Sequence, residues 1–241
     1  MGRAYEVRKA SIQKNGAIKA KLYSTSSKEI YLVAKGNPDP ESNVRLRRTL
    51  EKYKAMQVPN EIINRALDKA KGNDDTNYQE LTYEGFGPGA STFIITTLTD
   101  KVNRTVSYLR EVFNKIGKSL GVTNSVSYNY DHLTMIGFVS DLGDDIMMEL
   151  LDKGIEIKNL ETIDGEVVIS ASPSDDSKIR DVIENMIPNV KYTIDEIGWY
   201  PKEKVKLTGD DLEQFKIALR LLEEIDDVTE VYHNVDLDEE E

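Results

Sequence analysis

From Val102 to Ile116 the apolar residues Val102, Val106, Leu109, Phe113 and Ile116 fall four, three, four and three apart. That spacing makes one face of an amphipathic helix. Gly117 stands where a helix stop would put its left-handed residue. Just upstream, Phe93 to Leu98 is a short apolar and β-branched run that predicts a buried strand. Before it, Glu84-Gly85-Phe86-Gly87-Pro88-Gly89 packs three glycines and a proline into five residues, a composition that turns the chain. Strands at Tyr78–Glu84 and Ser91–Thr99 are therefore predicted to pair across this turn.

The same reading extends in both directions. Residues 1–15 lack a period and predict a loosely ordered arm. Gly16 to Lys35 predicts a helix burying Ile18, Leu22, Ile30 and Val33. After the Gly36–Pro40 breaker, a second helix is expected from about Glu41 to Met56, with Val44, Leu50 and Tyr53 inward. Pro59 opens a third, whose apolar face is Ile62, Ile63, Ala66, Leu67 and Ala70 and whose end is Gly72. Three short helices with short connections predict a bundle.

Past the helix at Val102–Ile116, Ser125 to Tyr130 alternates well enough to predict a strand. Leu133–Val139, Asp144–Lys153, Ile155–Ile163, Glu166–Ala171, Ser174–Met186 and Val190–Ile197 then read as βαββαβ, the split βαβ or ferredoxin-like order. Asp164-Gly165 is a strong hairpin signal within it. Ile197–Pro201 is expected to be a return crossing. Leu207–Val235 holds one helix, with Thr208 or Asp210 as cap, and one strand. These complete the β-β-α-β of residues 78–130. The expected fold is therefore α+β with three domains: an N-terminal three-helix bundle and two ferredoxin-like α/β sandwiches, one inserted into the other. The expected boundaries are 1–77, then 78–130 with 202–241, and 131–201 as the insert.

Charge sharpens this division. The net charge is −12, yet residues 1–72 carry 16 Lys and Arg against 7 Asp and Glu, a net of +9, which leaves −21 on the remainder. A basic module attracts polyanions and an acidic body repels them, so contact is confined to one face. The chain has no cysteine and two histidines, His132 and His233. Disulfides, thiolate metal sites and cysteine nucleophiles are excluded. No nucleophile–base pair or metal-ligand cluster emerges, so a non-enzyme without metal or cofactor is expected. No apolar run reaches the length of a membrane span and no signal peptide is visible. A cytoplasmic location, no membrane partner and a monomer are expected.

Several stretches taken together resemble the YebC/PmpR family. They are Tyr83-Glu84-Gly85-Phe86-Gly87-Pro88, Asn103-Arg104-Thr105, Asn43-Val44-Arg45-Leu46-Arg47-Arg48, Val58-Pro59-Asn60, and the closing Leu222 to Asn234. The resemblance covers nearly the whole chain and implies a helical first domain and two α+β domains, one inserted. It also implies a regulator that binds DNA, while other members act in translation, including the mitochondrial activator of cytochrome oxidase subunit I synthesis. The start, Gly2-Arg3-Ala4-Tyr5, lacks the His and Trp of common members and is similar to a Gly-Arg-starting subgroup.

Candidate nucleic-acid contacts follow from charge and spacing. Arg45, Arg48 and Lys52 lie three and four apart on one predicted helix face, with Arg47 and Lys54 beside them. Arg8, Lys9, Lys14, Lys19 and Lys21 extend the charge upstream. Neutralised phosphates release counterions and dominate non-specific affinity, so such a strip can hold nucleic acid. It can equally be a solvated face paired with Glu41 and Glu51. Asn103 and Arg104 open a helix, where free N–H groups favour an anion. The competing reading is a capped helix start with Arg104 paired to Glu84 or another acid. The Gly85-Gly87-Gly89 spacing matches neither a P-loop nor a dinucleotide fingerprint. Tyr128, Tyr130, Trp199 and Tyr200 could stack on bases or pack between domains. Three functions remain open: a DNA-binding transcriptional regulator, a ribosome-associated factor binding ribosomal RNA, and a protein-interaction scaffold.

Overall fold

A computed structural model describes residues 3–72 and 76–237, with side chains described from residue 18 onward. Its first three elements are helices: α1 (Arg3–Ala34), α2 (Val44–Ala55) and α3 (Asn60–Lys71). Ile30, Val33, Ala34, Leu46, Leu50, Tyr53, Val58, Ile63 and Ala66 form their common core. The arm expected over residues 1–15 is instead helical from Arg3 onward. At about 1.5 Å per residue, α1 is about 48 Å long and its two partners about 18 Å each. The early part of α1 outruns those partners, and Ile18, expected inside, is exposed. Val44 is exposed for a different reason. Asn43 caps α2 by accepting from Leu46 N at 3.0 Å, and its amide donates to the carbonyls of Val33 and Asn37. The helix thus starts three residues later than expected, with Val44 in its first turn.

Next come β1 (Gln79–Phe86), β2 (Thr92–Thr99) and α4 (Val102–Lys115). The chain then builds β3 (Tyr130–Val139), α5 (Gly143–Asp152), β4 (Ile157–Ile163), β5 (Glu166–Ala171), α6 (Asp176–Met186) and β6 (Tyr192–Pro201). It closes with α7 (Gly209–Glu223) and β7 (Val228–His233). Two antiparallel sheets result, one ordered β1-β2-β7 and one ordered β4-β5-β3-β6. The second is the strand order of a ferredoxin-like unit, and the fold is α+β. Its core gathers Ile136, Phe138, Val167, Ile169, Ile146, Leu150, Ile179 and Ile183 from one sheet face and the two helices α5 and α6. Asp164 and Gly165 both take positive φ, the geometry of the predicted hairpin turn. Expected and observed ends differ most at β6. It stays paired with β3 as far as Pro201 opposite Tyr130, so Trp199 and Tyr200 lie in the strand and not in a return crossing.

The three-stranded sheet shares its core with α4 and α7, through Phe93, Ile95, Leu109, Phe113, Phe215, Ala218, Leu222 and Val228. The first half of this unit and its last strand are thus far apart in sequence and adjacent in space, with β3 to β6 between them. The strand expected at Ser125–Tyr130 is absent; Ser127–Asn129 is a 3-10 turn. Glu84 is the cause. Its buried carboxylate accepts from the backbone N–H groups of Asn124, Val126 and Ser127 at 2.8, 2.6 and 2.9 Å. Amides converging on one carboxylate cannot serve a ladder. Burial alone would raise the Glu84 pKa, but these bonds outweigh it and hold the carboxyl below its ordinary value.

Gly85 explains the glycine turn's place in the core. A Cβ there would lie 2.2 Å from Cζ of Phe113, so the bare backbone lets the ring lie against β1. Gly85→Ala is expected to cost about 1–3 kcal/mol through overpacking, read as a lowered urea midpoint with an unchanged m-value. An unchanged midpoint would show that the ring contact carries no weight.

Candidate nucleic-acid interface

The predicted strip on α2 forms, but it divides between two environments. Arg45, Arg48 and Lys52 do share a face, and that face meets carboxylates. Arg45 lies 3.5 Å from Glu80 in β1, and Lys52 lies 3.6 Å from Glu29 in α1. Arg48, only 23% exposed, lies 3.9 Å from Asp176 and 3.6 Å from Glu184, both on α6. Arg47 and Lys54 point elsewhere. Both are exposed, with no ion-pair partner among the described residues. Lys19 on α1 is likewise exposed. Arg8, Lys9 and Lys14 lie in α1, and their side chains are outside the described residues.

Lys21 is drawn inward. Its ammonium donates to the Glu223 carbonyl at the end of α7, and burial lowers its pKa despite Glu223, Glu230 and Asp226 nearby. One turn and more further along α1, Lys28 reaches a stronger acceptor. Its Nζ donates to Asp227 Oδ1 at 2.9 Å and lies near the Asp226 and Leu98 carbonyls. The Asp227 side chain is only 4% exposed.

Arg104 donates to the same Asp227 carboxylate at 2.9 and 3.1 Å, and to Asp100 at 3.2 Å. Thr105 and Thr99 hydroxyls donate to Asp227 Oδ2 at 2.9 and 3.2 Å. Asp227 O accepts from Leu98 N at 2.8 Å. One carboxylate therefore joins α1, β2, α4 and the turn before β7. Hydrogen bonds to Asp227 raise the Arg104 pKa. For Asp227 itself burial pushes upward, but Arg104, Lys28 and Thr105 outweigh it and hold the carboxyl below its usual range.

At the start of α4 neither Asp100 nor Asn103 is the cap. Lys101 is the N-cap residue and has no side-chain cap bond; Thr99 Oγ1 accepts from Lys101 N at 3.0 Å instead. Asp100 pairs with Arg104, and Asn103 is exposed, its carbonyl accepting from Ser107 Oγ at 2.8 Å. Glu84, the partner considered for Arg104, is occupied by the 124–127 turn. At the start of α7, Thr208 is the N-cap, again without a side-chain bond. Nothing local in the sequence singled out Lys28 and Asp227. They are 199 residues apart, and only the docking of α1 on the β7 turn reveals them.

The aromatic candidates separate too. His132 stacks on Trp199 with ring centroids 4.4 Å apart, and Tyr130 donates to the Thr92 carbonyl at 3.0 Å. Tyr200 donates to Glu196 at 2.6 Å. Tyr128 is 65% exposed. His233 packs edge-on to Phe215, and burial lowers its pKa. Among the described residues no group of three or more His, Asp or Glu side chains could hold a metal ion, and no helix is long and apolar enough to cross a membrane.

Two family models match consecutive parts of the chain. Residues 3–73 match the TACO1/YebC protein N-terminal domain, and residues 78–235 match the TACO1/YebC second and third domain. A "probable transcriptional regulatory protein" of Alteromonas mediterranea is 38% identical over 235 residues, covering 97% of this chain and 98% of that protein. One of the same description from Acholeplasma laidlawii is 42% identical over 238 residues, covering 98% of each chain. Among solved structures, a conserved hypothetical protein from Aquifex aeolicus superposes with a TM-score of 0.69. It is 29% identical, over 92% of this chain and 91% of that one.

Because the folded-state pKa of Asp227 is depressed, its contribution to stability is complete above the unfolded value near 3.8 and is lost as pH falls through the lower folded value. Asp227→Asn is expected to cost about 2–3 kcal/mol at pH 7, less than a fully buried pair because Arg104 is partly solvated. The gap between the two proteins should close as pH drops below the aspartate range. Urea titrations at steps from pH 7 downward measure both; a gap that does not narrow as pH falls below 3.8 would assign the loss to packing.

Proposed function

The chain belongs to the TACO1/YebC family, and from that premise we propose that it is a nucleic-acid-binding regulator of transcription. In this proposal residues 1–77 are the nucleic-acid-contacting domain. Residues 78–130 with 202–241 form the domain that carries it, and residues 131–201 are inserted into the latter. The observation that carries the reading is the exposed cation set on α1 and α2. Lys19, Arg47 and Lys54 face solvent, and Arg45 and Lys52 are more than half exposed beside their carboxylate partners. They stand on a segment of net +9 while the rest of the chain carries −21. Such a surface recognises a regular array of phosphates without reading base edges. The relatives' shared description as transcriptional regulators favours DNA as the polyanion.

Asn103 and Arg104 hold a lesser place in this reading. Arg104 is committed to Asp227 and Asp100, so a phosphate there would have to compete with two carboxylates. Lys21 is similarly committed to the Glu223 carbonyl. The principal contacts assigned are therefore Lys19, Arg45, Arg47, Lys52 and Lys54.

A second reading, ribosomal RNA as the polyanion, rests on the same surface, because phosphate contacts do not distinguish the two. Sedimentation of tagged protein with ribosomes, at low and high salt, separates them when run beside promoter-fragment binding in excess non-specific DNA. Promoter preference without ribosome association supports the transcriptional reading; ribosome association without promoter preference sinks it.

Arg47→Glu/Lys54→Glu is expected to weaken duplex binding and reduce the slope of log K against log salt by about 2, one unit per lost phosphate contact. Fluorescence anisotropy across a salt series provides the measurement. An unchanged slope with intact helicity removes these two residues from the interface.

A further inference from the structure

The face of α2 that carries Arg45, Arg48 and Lys52 is turned toward the acidic body, and the contacts holding it there are unequal. Lys28 and Arg104 on Asp227 form a buried, multiply hydrogen-bonded junction. Near it Tyr31 and Lys35 donate to the Thr76 carbonyl at 2.9 and 3.0 Å, tying α1 to the start of the next unit. Removing one charged partner from a junction of the Asp227 kind is strongly destabilising, because it leaves a buried charge poorly compensated. Arg48 is held far more loosely. Its distances to Asp176 and Glu184, 3.9 and 3.6 Å, are too long for direct hydrogen bonds. Pairs of that kind contribute little to stability.

Asp176, moreover, does not need Arg48. It accepts from Arg180 Nε at 3.0 Å and from Thr134 Oγ1 at 2.7 Å, and Arg180 also reaches Asp195 at 2.6 Å. Glu184 is nearly half exposed and accepts from the Tyr192 hydroxyl at 3.3 Å. If Arg48 left, neither carboxylate would be buried without a partner. Arg48 itself is only 23% exposed where it faces these two carboxylates.

We propose that the Arg48–Asp176–Glu184 contact is a latch that closes the helical domain against the inserted domain. Phosphates of a nucleic acid compete for Arg48 and open it, while the Lys28–Asp227 junction stays intact and acts as the pivot. The proposal rests on the nucleic-acid reading above and adds its regulation. Closed, the acidic body sits against the cationic strip and repels an approaching polyanion. Open, Arg48 joins Arg45 and Lys52 as a second cationic face of α2, opposite the one that Arg47 and Lys54 already present. The device sets a threshold, so that only a ligand with enough phosphates to displace α6 gains the full surface.

The absence of cysteine allows a direct test. Spin labels are placed at Glu51→Cys on α2 and Asn185→Cys on α6, both exposed positions. The distance distribution is read by pulsed electron resonance, with and without a 20-base-pair DNA duplex or an RNA duplex of the same length. The same pair is read in Glu184→Gln, which removes the nearer charge from Arg48 but keeps an acceptor for Tyr192. The expected result is a longer, broader distance on adding duplex. Glu184→Gln should already be broadened without ligand and should bind duplex about two- to fivefold more tightly, the factor for an ion pair of this class. Glu184→Lys should shift further in both respects. Duplex bound with unchanged distances, and equal affinity in Glu184→Gln, would overturn the latch and leave the nucleic-acid reading standing. Failure of either duplex to bind wild type or Glu184→Gln would overturn that reading and phosphate-driven opening together.

Discussion

Asp227 is the group on which the arrangement of this molecule depends. A carboxylate nearly sealed from solvent costs several kcal/mol to bury alone, and here it is satisfied on every side. Lys28 comes from α1, Arg104 and Thr105 from α4, and Thr99 from the end of β2. The main chain at the same residue closes the β2–β7 edge through Leu98. Removing Lys28 or Arg104 leaves this nearly sealed carboxylate with one cation fewer. Among the ion pairs that join the basic helical segment to the acidic body, Lys28 on this anion is the most deeply buried.

Glu84 performs a comparable task one element away. Its three backbone bonds shape the passage from α4 into the four-stranded sheet. Asn234 closes the other end, accepting from Thr92 N at 2.8 Å and donating to the Ala90 carbonyl at 3.2 Å. Glu84 opens the glycine-rich stretch, and Asn234 follows β7. In the folded chain they satisfy backbone amides and carbonyls where the chain leaves and re-enters the three-stranded sheet. Gly85 and Gly87 provide clearance for Phe113 and Phe93.

The cations follow the same logic of competition. A guanidinium or ammonium on a helix beside an acidic domain is either free for phosphate or already neutralised. Here both outcomes occur on one helix, because residues three or four apart point one way and those between them point the other. Arg48 looks inward, while Arg47 and Lys54 look outward. Under the function proposed above, the question becomes which carboxylates hold which cations, and how tightly.

Most of the architecture was legible because it is written in local periods. The α4 face, the β2 run, the Asp164-Gly165 hairpin and the βαββαβ order each depend on neighbours a few residues away. Local chemistry also marked the charge division and the cation spacing on α2. Other features required long-range contacts. The extension of α1 to Arg3 had no period to announce it, and the apparent alternation at Ser125–Tyr130 was overridden by a carboxylate 42 residues upstream of Val126. β6 ran on to Pro201 because β3 was there to pair with it. The sequence by itself determined which residues can form each element and where positive charge accumulates, since propensity, period and formal charge are properties of short segments. Only the tertiary structure decided that Lys28 meets Asp227 and that Arg48 faces α6. Ion pairs across nearly 200 residues are chosen by the docking of whole elements, and no local pattern encodes that choice.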